Sequence, residues 1–180
     1  FFKTMRTFLA IELPKELKDY LFTLPKQIKG ASVNWVYKKN LHITLNFIGE
    51  LPEEKVKKIK EIIKTIKFKP FKLKLTKLGF FPNKDHLKTI WIGVEPKQLI
   101  VDLAQKIDQE LMEFVKEQKF EAHITLGRFR SFKKKELFCK SVEEFDLKPL
   151  EFEVNSFQFF KSILRKEGPR HVLLENVEMS

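Results

Sequence analysis

The tetrapeptide His-Ile-Thr-Leu stands twice in this chain, at His42-Ile43-Thr44-Leu45 and at His123-Ile124-Thr125-Leu126, and takes up two of only four histidines. An apolar residue at every second position is the mark of a half-buried β-strand. Side chains two apart on a strand share a face, so His42 projects with Thr44 and His123 with Thr125, about 6–7 Å apart. Ile43 and Leu45, like Ile124 and Leu126, then face a core. The frames also correspond: Asn40-Leu41 precedes and Asn46-Phe47-Ile48-Gly49 follows the first copy, and Glu121-Ala122 and Gly127-Arg128-Phe129 flank the second. A fold that holds this chain must therefore accommodate two equivalent strands, each offering an imidazole and a hydroxyl on one open face.

The pattern around the two copies is that of an α+β protein. Thr7–Leu13 reads as a strand. A helix follows from Lys15, with Leu17, Tyr20, Leu21 and Leu24 at helical spacing and an end at Pro25. A loop at Gly30–Ser32 leads to an extended Val33–Tyr37 and then to the first repeat strand, Leu41–Ile48, closed by Gly49. Pro52-Glu53-Glu54 starts a helix whose stripe is Val56, Ile59, Ile62, Ile63 and Ile66. Phe71–Thr76 and Thr89–Val94 alternate as strands. Between them Gly79–His86 has turn chemistry and reads as a surface loop. Pro96 opens another helix, the second repeat strand spans Phe120–Phe129, and Lys133–Phe145 is a short helix. Leu150–Val154 begins a strand continuing to about Leu164, and His171–Val177 is the last.

The order has a rough twofold recurrence with a histidine strand at corresponding places. No Pro/Gly/Ser-rich tract separates the halves. A chain of 180 residues, 43% hydrophobic and 13% aromatic, is expected to form a single domain over residues 1–180. It would consist of two interwoven α+β lobes with a ligand groove between them. Residues 1–4 read as an N-terminal extension ahead of Met5. Without a signal-peptide pattern or about 18 uninterrupted apolar residues, a cytoplasmic protein with no membrane contact is expected. No obligate protein partner is evident. Thirty-five Lys and Arg against 24 Asp and Glu give a formal +11, which favours a polyanion such as RNA. Solvated helix faces account for many of the same lysines.

One histidine on a strand is ordinarily structural, but packing does not need the same polar pair in two places. Imidazole exchanges protons near neutrality, and two of them can serve one displacement as base and acid. The neighbouring threonine hydroxyls can hold phosphate oxygens, and Arg128 can offer its planar fork of donors. Strict alternation aims Arg128 away from Thr125, so a bulge at Gly127 is required to bring it round. Two histidines could also ligate zinc, but a third ligand is expected, and the repeat strands contain no Asp, Glu or Cys at ligand spacing. No metal and no cofactor is therefore expected. Neither a phosphate-binding glycine loop nor a Gly-x-Ser-x-Gly elbow is present. The single cysteine, Cys139, reads as a packing residue, and His86 and His171 read as exposed surface residues. Phe8, Trp35 and Phe47 are candidates to stack on a base, although parity turns Phe47 away from His42 and favours core packing for it. Arg130 and the run Lys133-Lys134-Lys135 could track an RNA backbone or be simply solvated.

Taken together, the two His-x-Thr motifs resemble the 2H phosphoesterase superfamily, and within it the RNA 2′,3′-cyclic phosphodiesterases of the LigT or 2′,5′-RNA ligase family. Met5–Pro14, Trp35-Val36 and Asn40–Gly49 resemble the opening strand and first motif, and His123–Arg128 resembles the second. The resemblance covers residues 5 to 130. It implies a bilobal fold with two antiparallel sheets forming a V-shaped central groove and helices on the outer faces. It also implies metal-independent opening of a terminal 2′,3′-cyclic phosphate to a 2′-phosphate, on RNA ends that include tRNA-like ones, with reversible 2′,5′-ligation in some members. His42 would be the proton donor, His123 the proton acceptor, and Thr44, Thr125 and Arg128 the phosphate ligands. The alternatives are a non-catalytic nucleotide- or RNA-binding module and a phosphodiesterase for small cyclic nucleotide-sugar phosphates.

Overall fold

Apolar positions with two different periods give this chain one curved sheet with all its helices on one side. The computed structural model describes residues 3–83, 85–116 and 121–180. Its strands are β1 (Thr4–Glu12), β2 (Ala31–Trp35), β3 (His42–Pro52), β4 (Phe71–Pro82), β5 (Leu87–Glu95), β6 (His123–Phe132), β7 (Glu151–Val154), β8 (Ser156–Ile163) and β9 (Arg170–Glu178). The helices are α1 (Lys15–Thr23), α2 (Glu53–Ile63), α3 (Lys97–Glu110) and α4 (Lys135–Glu143). Pro14, Pro52 and Pro96 stand directly before the first three helices. A helix start leaves N–H groups unpaired, and proline brings none. No described helix is long and apolar enough to cross a membrane.

The strands run β7-β4-β5-β6-β3-β1-β8-β9, all antiparallel. Two four-stranded halves meet in the middle, where β3 and β6 pair only at Ile43 and Ile124. Beyond that bridge β2 takes over the edge of β6, from Trp35 opposite Gly127 to Ala31 opposite Phe132. The expected V of two sheets is thus two wings hinged on a one-residue seam. The wings are also exchanged. The run β1-α1-β2-β3-α2 sends β2 to the edge of β6 and its next strand, β4, to pair with β5 of the other wing. The run β5-α3-β6-α4 in turn sends β8 back to β1.

The main core lies between the sheet and the helices. Leu9, Ile11, Ile43, Ile124 and Ile92 meet Leu17 and Leu21 of α1, Ile59 and Ile63 of α2, Ile100 and Leu103 of α3 and Phe138 of α4. Phe8, Ala10 and Phe160 form a separate small cluster. They project from the opposite, concave face, which carries no helix.

Three elements differ from the sequence pattern. Gly79–His86 is not all loop, because β4 continues to Pro82 and pairs Phe80 with Ile90 and Phe81 with Thr89. Its turn-like Gly79 serves packing instead, since a Cβ there would fall 2.2 Å from the Trp91 ring. The stretch from Leu150 to Leu164 is two strands, broken at Asn155, of which β7 joins β4 and β8 joins β1. β3 passes through Gly49, whose φ is +97°, and runs on to Pro52 because Thr4–Arg6 of β1 extend the ladder. The second repeat strand starts at His123, and the proposed start at Phe120 lies outside the described residues.

Candidate active site

Cross-strand partners share a face of an antiparallel sheet, so the register decides what surrounds each histidine. In one wing Glu12 pairs with His42, Ala10 with Thr44 and Phe8 with Phe47. In the other Gly93 pairs with His123, Trp91 with Thr125 and Thr89 with Arg128. Between Thr44 and Phe47 the ladder skips Leu45, and between Thr125 and Gly127 it skips Leu126. Both wings therefore carry a β-bulge at the same step of the repeat. The consecutive buried residues Leu45-Asn46 and Leu126-Gly127 are its local trace.

The bulge at Leu126 brings Arg128 onto the face of His123 and Thr125, one residue before the position the sequence pattern required. The bulge at Leu45 does the same for Phe47, which shares the face of His42 and Thr44. Phe47 is 58% exposed, so the expectation that it points away into the core is corrected. Simple alternation fails there because one inserted residue reverses the parity of everything after it. In each wing a partner holds the bulge. Asn46 Nδ2 donates to Asp108 Oδ1 on α3. Gly127 lets β2 approach closely, and a Cβ there would lie 2.7 Å from Val33 and 2.8 Å from Trp35.

Around the antiparallel Ile43–Ile124 bridge, His42 stands across from Thr125 and Thr44 across from His123. Each imidazole is tied to the carbonyl two residues before it. His42 Nδ1 lies 2.5 Å from the Asn40 oxygen and His123 Nδ1 2.8 Å from that of Glu121. A carbonyl only accepts, which assigns the proton to Nδ1 and leaves Nε2 a base on the far side of each ring. His42 Nε2 receives the Thr44 hydroxyl at 2.8 Å. Asn40 is itself buried and its Nδ2 donates to the Pro169 carbonyl at 2.7 Å, so the carbonyl that orients His42 is fixed from the β8–β9 connection.

Burial lowers the pKa of both histidines. For His42 the carbonyl of Asn40 and Glu12 oppose that effect, whereas Lys18 and His123 add to it. For His123 the opposing influences are the Glu121 carbonyl and its carboxylate. Both are therefore neutral near pH 7 in the free protein.

Aromatic rings wall in each imidazole. Phe8 lies 5.3 Å from His42 between ring centroids and stacks on Phe160 at 5.4 Å. Phe81 lies 5.0 Å from His123, edge to face, and stacks on Trp91 at 4.9 Å. His171 also belongs here, 5.3 Å from His42 and 4.8 Å from Phe8, which corrects its reading as a surface residue. β9 pairs His171 with Ser162 on the strand next to β1, a long-range pairing with no local signal. Phe8, at 5% exposure, is too covered to receive a base, and Trp35 packs over Gly127. Phe81 was hidden by the loop reading of its segment. His86 is exposed, as expected, and Cys139 packs against the core. Arg130, Lys133 and Lys134 are exposed, and Lys135 lies over the Phe132 ring at 5.6 Å. Among the described residues no three His, Cys, Asp or Glu side chains gather in a metal-holding group.

Known proteins resemble this chain in sequence and in fold. A protein of Methanocaldococcus jannaschii named RNA 2′,3′-cyclic phosphodiesterase is 34% identical over 174 residues, covering 95% of this chain and 99% of its own. One of the same name from Archaeoglobus fulgidus is 33% identical, covering 92% and 95%. The crystal structure of Escherichia coli LigT complexed with 3′-AMP superposes with a TM-score of 0.78 at 23% identity over 99% of both chains. The model of one family, described as LigT-like phosphoesterase, matches residues 11–91 and again residues 92–171. Each match takes in one His-x-Thr strand with its bulge. The duplication seen first as a tetrapeptide is thus the family's own unit used twice, and the chain belongs to the LigT-like phosphoesterase family.

Proposed function

We propose that this chain is a hydrolase that opens the 2′,3′-cyclic phosphate at the end of an RNA strand and leaves a 2′-phosphate. The observation that carries the reading is the pair of imidazoles on either side of the Ile43–Ile124 bridge, each with Nδ1 held by a carbonyl and Nε2 on the far side of the ring, that of His42 accepting from Thr44 until a substrate takes the hydroxyl's place. The family membership and the names of the relatives support it.

In this mechanism the phosphate sits over the seam, its non-bridging oxygens held by Thr44, Thr125 and the guanidinium of Arg128. Water attacks phosphorus as His123 Nε2 takes its proton. The bond from phosphorus to O3′ breaks, and O3′ takes a proton from His42 Nε2. His42 is neutral in the free protein, and the arriving anion raises its pKa and brings the proton with it. The assignment of His42 as donor and His123 as acceptor follows the family resemblance. A 5′-hydroxyl in the place of water yields a 2′,5′ linkage by the same proton movements. No metal enters any step. Phe47, on the face of His42 and open to solvent, gives the terminal base a ring to stack on.

The test is to incubate the protein with RNA ending in a 2′,3′-cyclic phosphate, in the presence of a chelator, and identify the product. A terminal 2′-phosphate is expected. A terminal 3′-phosphate, or no turnover, rules the reading out.

A further inference from the structure

One hollow of the molecule lies not in the groove but beside it. A cavity of about 560 Å³ opens past the end of β1, lined by Lys15, Lys18, Lys38, Lys39, Phe22 and Tyr37, with Glu12 also in its wall. Glu12 is the cross-strand partner of His42, so the cavity begins one strand away from that imidazole. Its lining joins cations to open aromatic rings, since Phe22 is 53% and Tyr37 42% exposed. Lys38 sits over the Phe22 ring at 5.8 Å from its centroid. Two of the four ammonium groups have partners, Lys18 with Glu12 at 3.0 Å and Lys38 with Asp19. Among the described residues Lys15 and Lys39 make no salt bridge, and both are exposed.

We infer that this cavity is a subsite for single-stranded RNA, taking the nucleotides on the 5′ side of the terminal one. The inference rests on the proposed reaction. If His42 protonates the ribose oxygen, the ribose lies in the His42 wing and the attacking water on the His123 side. The rest of the strand leaves from that ribose through O5′, and in the His42 wing the neighbouring hollow is the lysine-lined one. Unpaired ammonium groups around exposed aromatic rings are what a chain of phosphates and bases requires, and stacking accepts any base. A core function for Phe22 and Tyr37 would have covered them.

The subsite predicts a difference between substrates. A nucleoside 2′,3′-cyclic phosphate fills the groove alone, whereas an oligonucleotide with the same terminus also fills the cavity. The test compares the wild type with Lys15→Gln/Lys39→Gln and with Phe22→Ala on both substrates. On the oligonucleotide, KM is expected to rise roughly tenfold for the lysine pair and about fivefold or more for Phe22→Ala. The dependence of oligonucleotide binding on salt should also weaken, by about 1.4 in the log–log slope for the lysine pair. The mononucleotide constants should stay within about twofold. Unchanged oligonucleotide constants, or equal losses on both substrates, overturn the subsite. If the wild type turns over neither substrate, the proposed chemistry fails separately. Fluorescence anisotropy with a labelled oligonucleotide ending in a 2′-phosphate then still decides the subsite, since variants that bind as the wild type does would overturn it.

Discussion

Phe47 and Arg128 occupy the same place in the two wings, each the fifth residue after its histidine and each turned onto the concave face by a bulge at the third. One wing thus offers an exposed ring where the other offers a guanidinium. In the proposed reaction a twofold scaffold would receive an asymmetric ligand through this difference, with a base at one side and a phosphate at the other. Arg128→Ala should lower kcat/KM about 10- to 100-fold, and Arg128→Lys should recover little of it because the planar fork is lost. Phe47→Ala should raise KM about fivefold or more with kcat nearly kept. Steady-state kinetics on one cyclic nucleotide separates the two, and a loss of kcat in Phe47→Ala would contradict a stacking role.

Replacing either His42 or His123 by Ala should reduce kcat by about 10²- to 10⁴-fold. The double variant should be little worse than the poorer single one, because the two protons move in one displacement. Thermal unfolding of both should stay close to wild type. Near-full activity in either variant would remove the mechanism.

Acidification should weaken the fold through the concave-face histidines. His171 is pushed down from 6.5 to about 4, by burial first and then by His42 and Lys18. In the window between these values the unfolded chain binds this proton and the folded one does not. The stabilisation is therefore complete above about pH 6.5 and is lost as pH falls towards 4. His42 and His123 act in the same direction. Urea midpoints for wild type and His171→Asn from pH 7 to pH 4 should diverge, the variant being flatter, and parallel curves would refute the assignment.

The same lowered pKa of His123 places the acid limb of kcat/KM below 6.5, since that ratio reports the free enzyme. The alkaline limb of kcat should lie above that of kcat/KM, because bound phosphate raises His42. Coincident alkaline limbs would mean that the substrate does not bring the proton.

Gly127→Ala should cost about 1–3 kcal/mol, since the new Cβ meets Val33 and Trp35 at less than contact distance. Whatever shift relieves that contact moves Arg128 as well. Urea denaturation measures the first effect, and a raised KM for cyclic phosphate measures the second.

The sequence made the two histidine strands, the helices behind them and the likeness to a known family legible, because period-2 and period-3.6 patterns are local. Parity counting located His42, Thr44, His123 and Thr125 on the concave face. It failed from Leu45 onwards, because a bulge leaves no mark except two buried residues in succession. For Arg128 the need for a bulge was visible in advance, since a phosphate ligand pointing into the core made no sense. For Phe47 an apolar residue made sense in the core, so nothing signalled the error. His171 and Phe81 reach the histidines through β8–β9 and β4–β5 pairing, and such long-range neighbours are not written in local pattern. Asn155 was missed for the same reason, since β7 and β8 are continuous in pattern and part only because each has a different partner.

The exchange of β4 and β8 between the wings has a mechanical consequence. Neither wing owns all of its strands, so neither can come apart without stripping the other. Melting of the molecule should be all-or-none, with no half-folded species that keeps one histidine in place. The spacing of the two imidazoles, set across a seam only one residue wide, is then protected by the cooperativity of the entire chain.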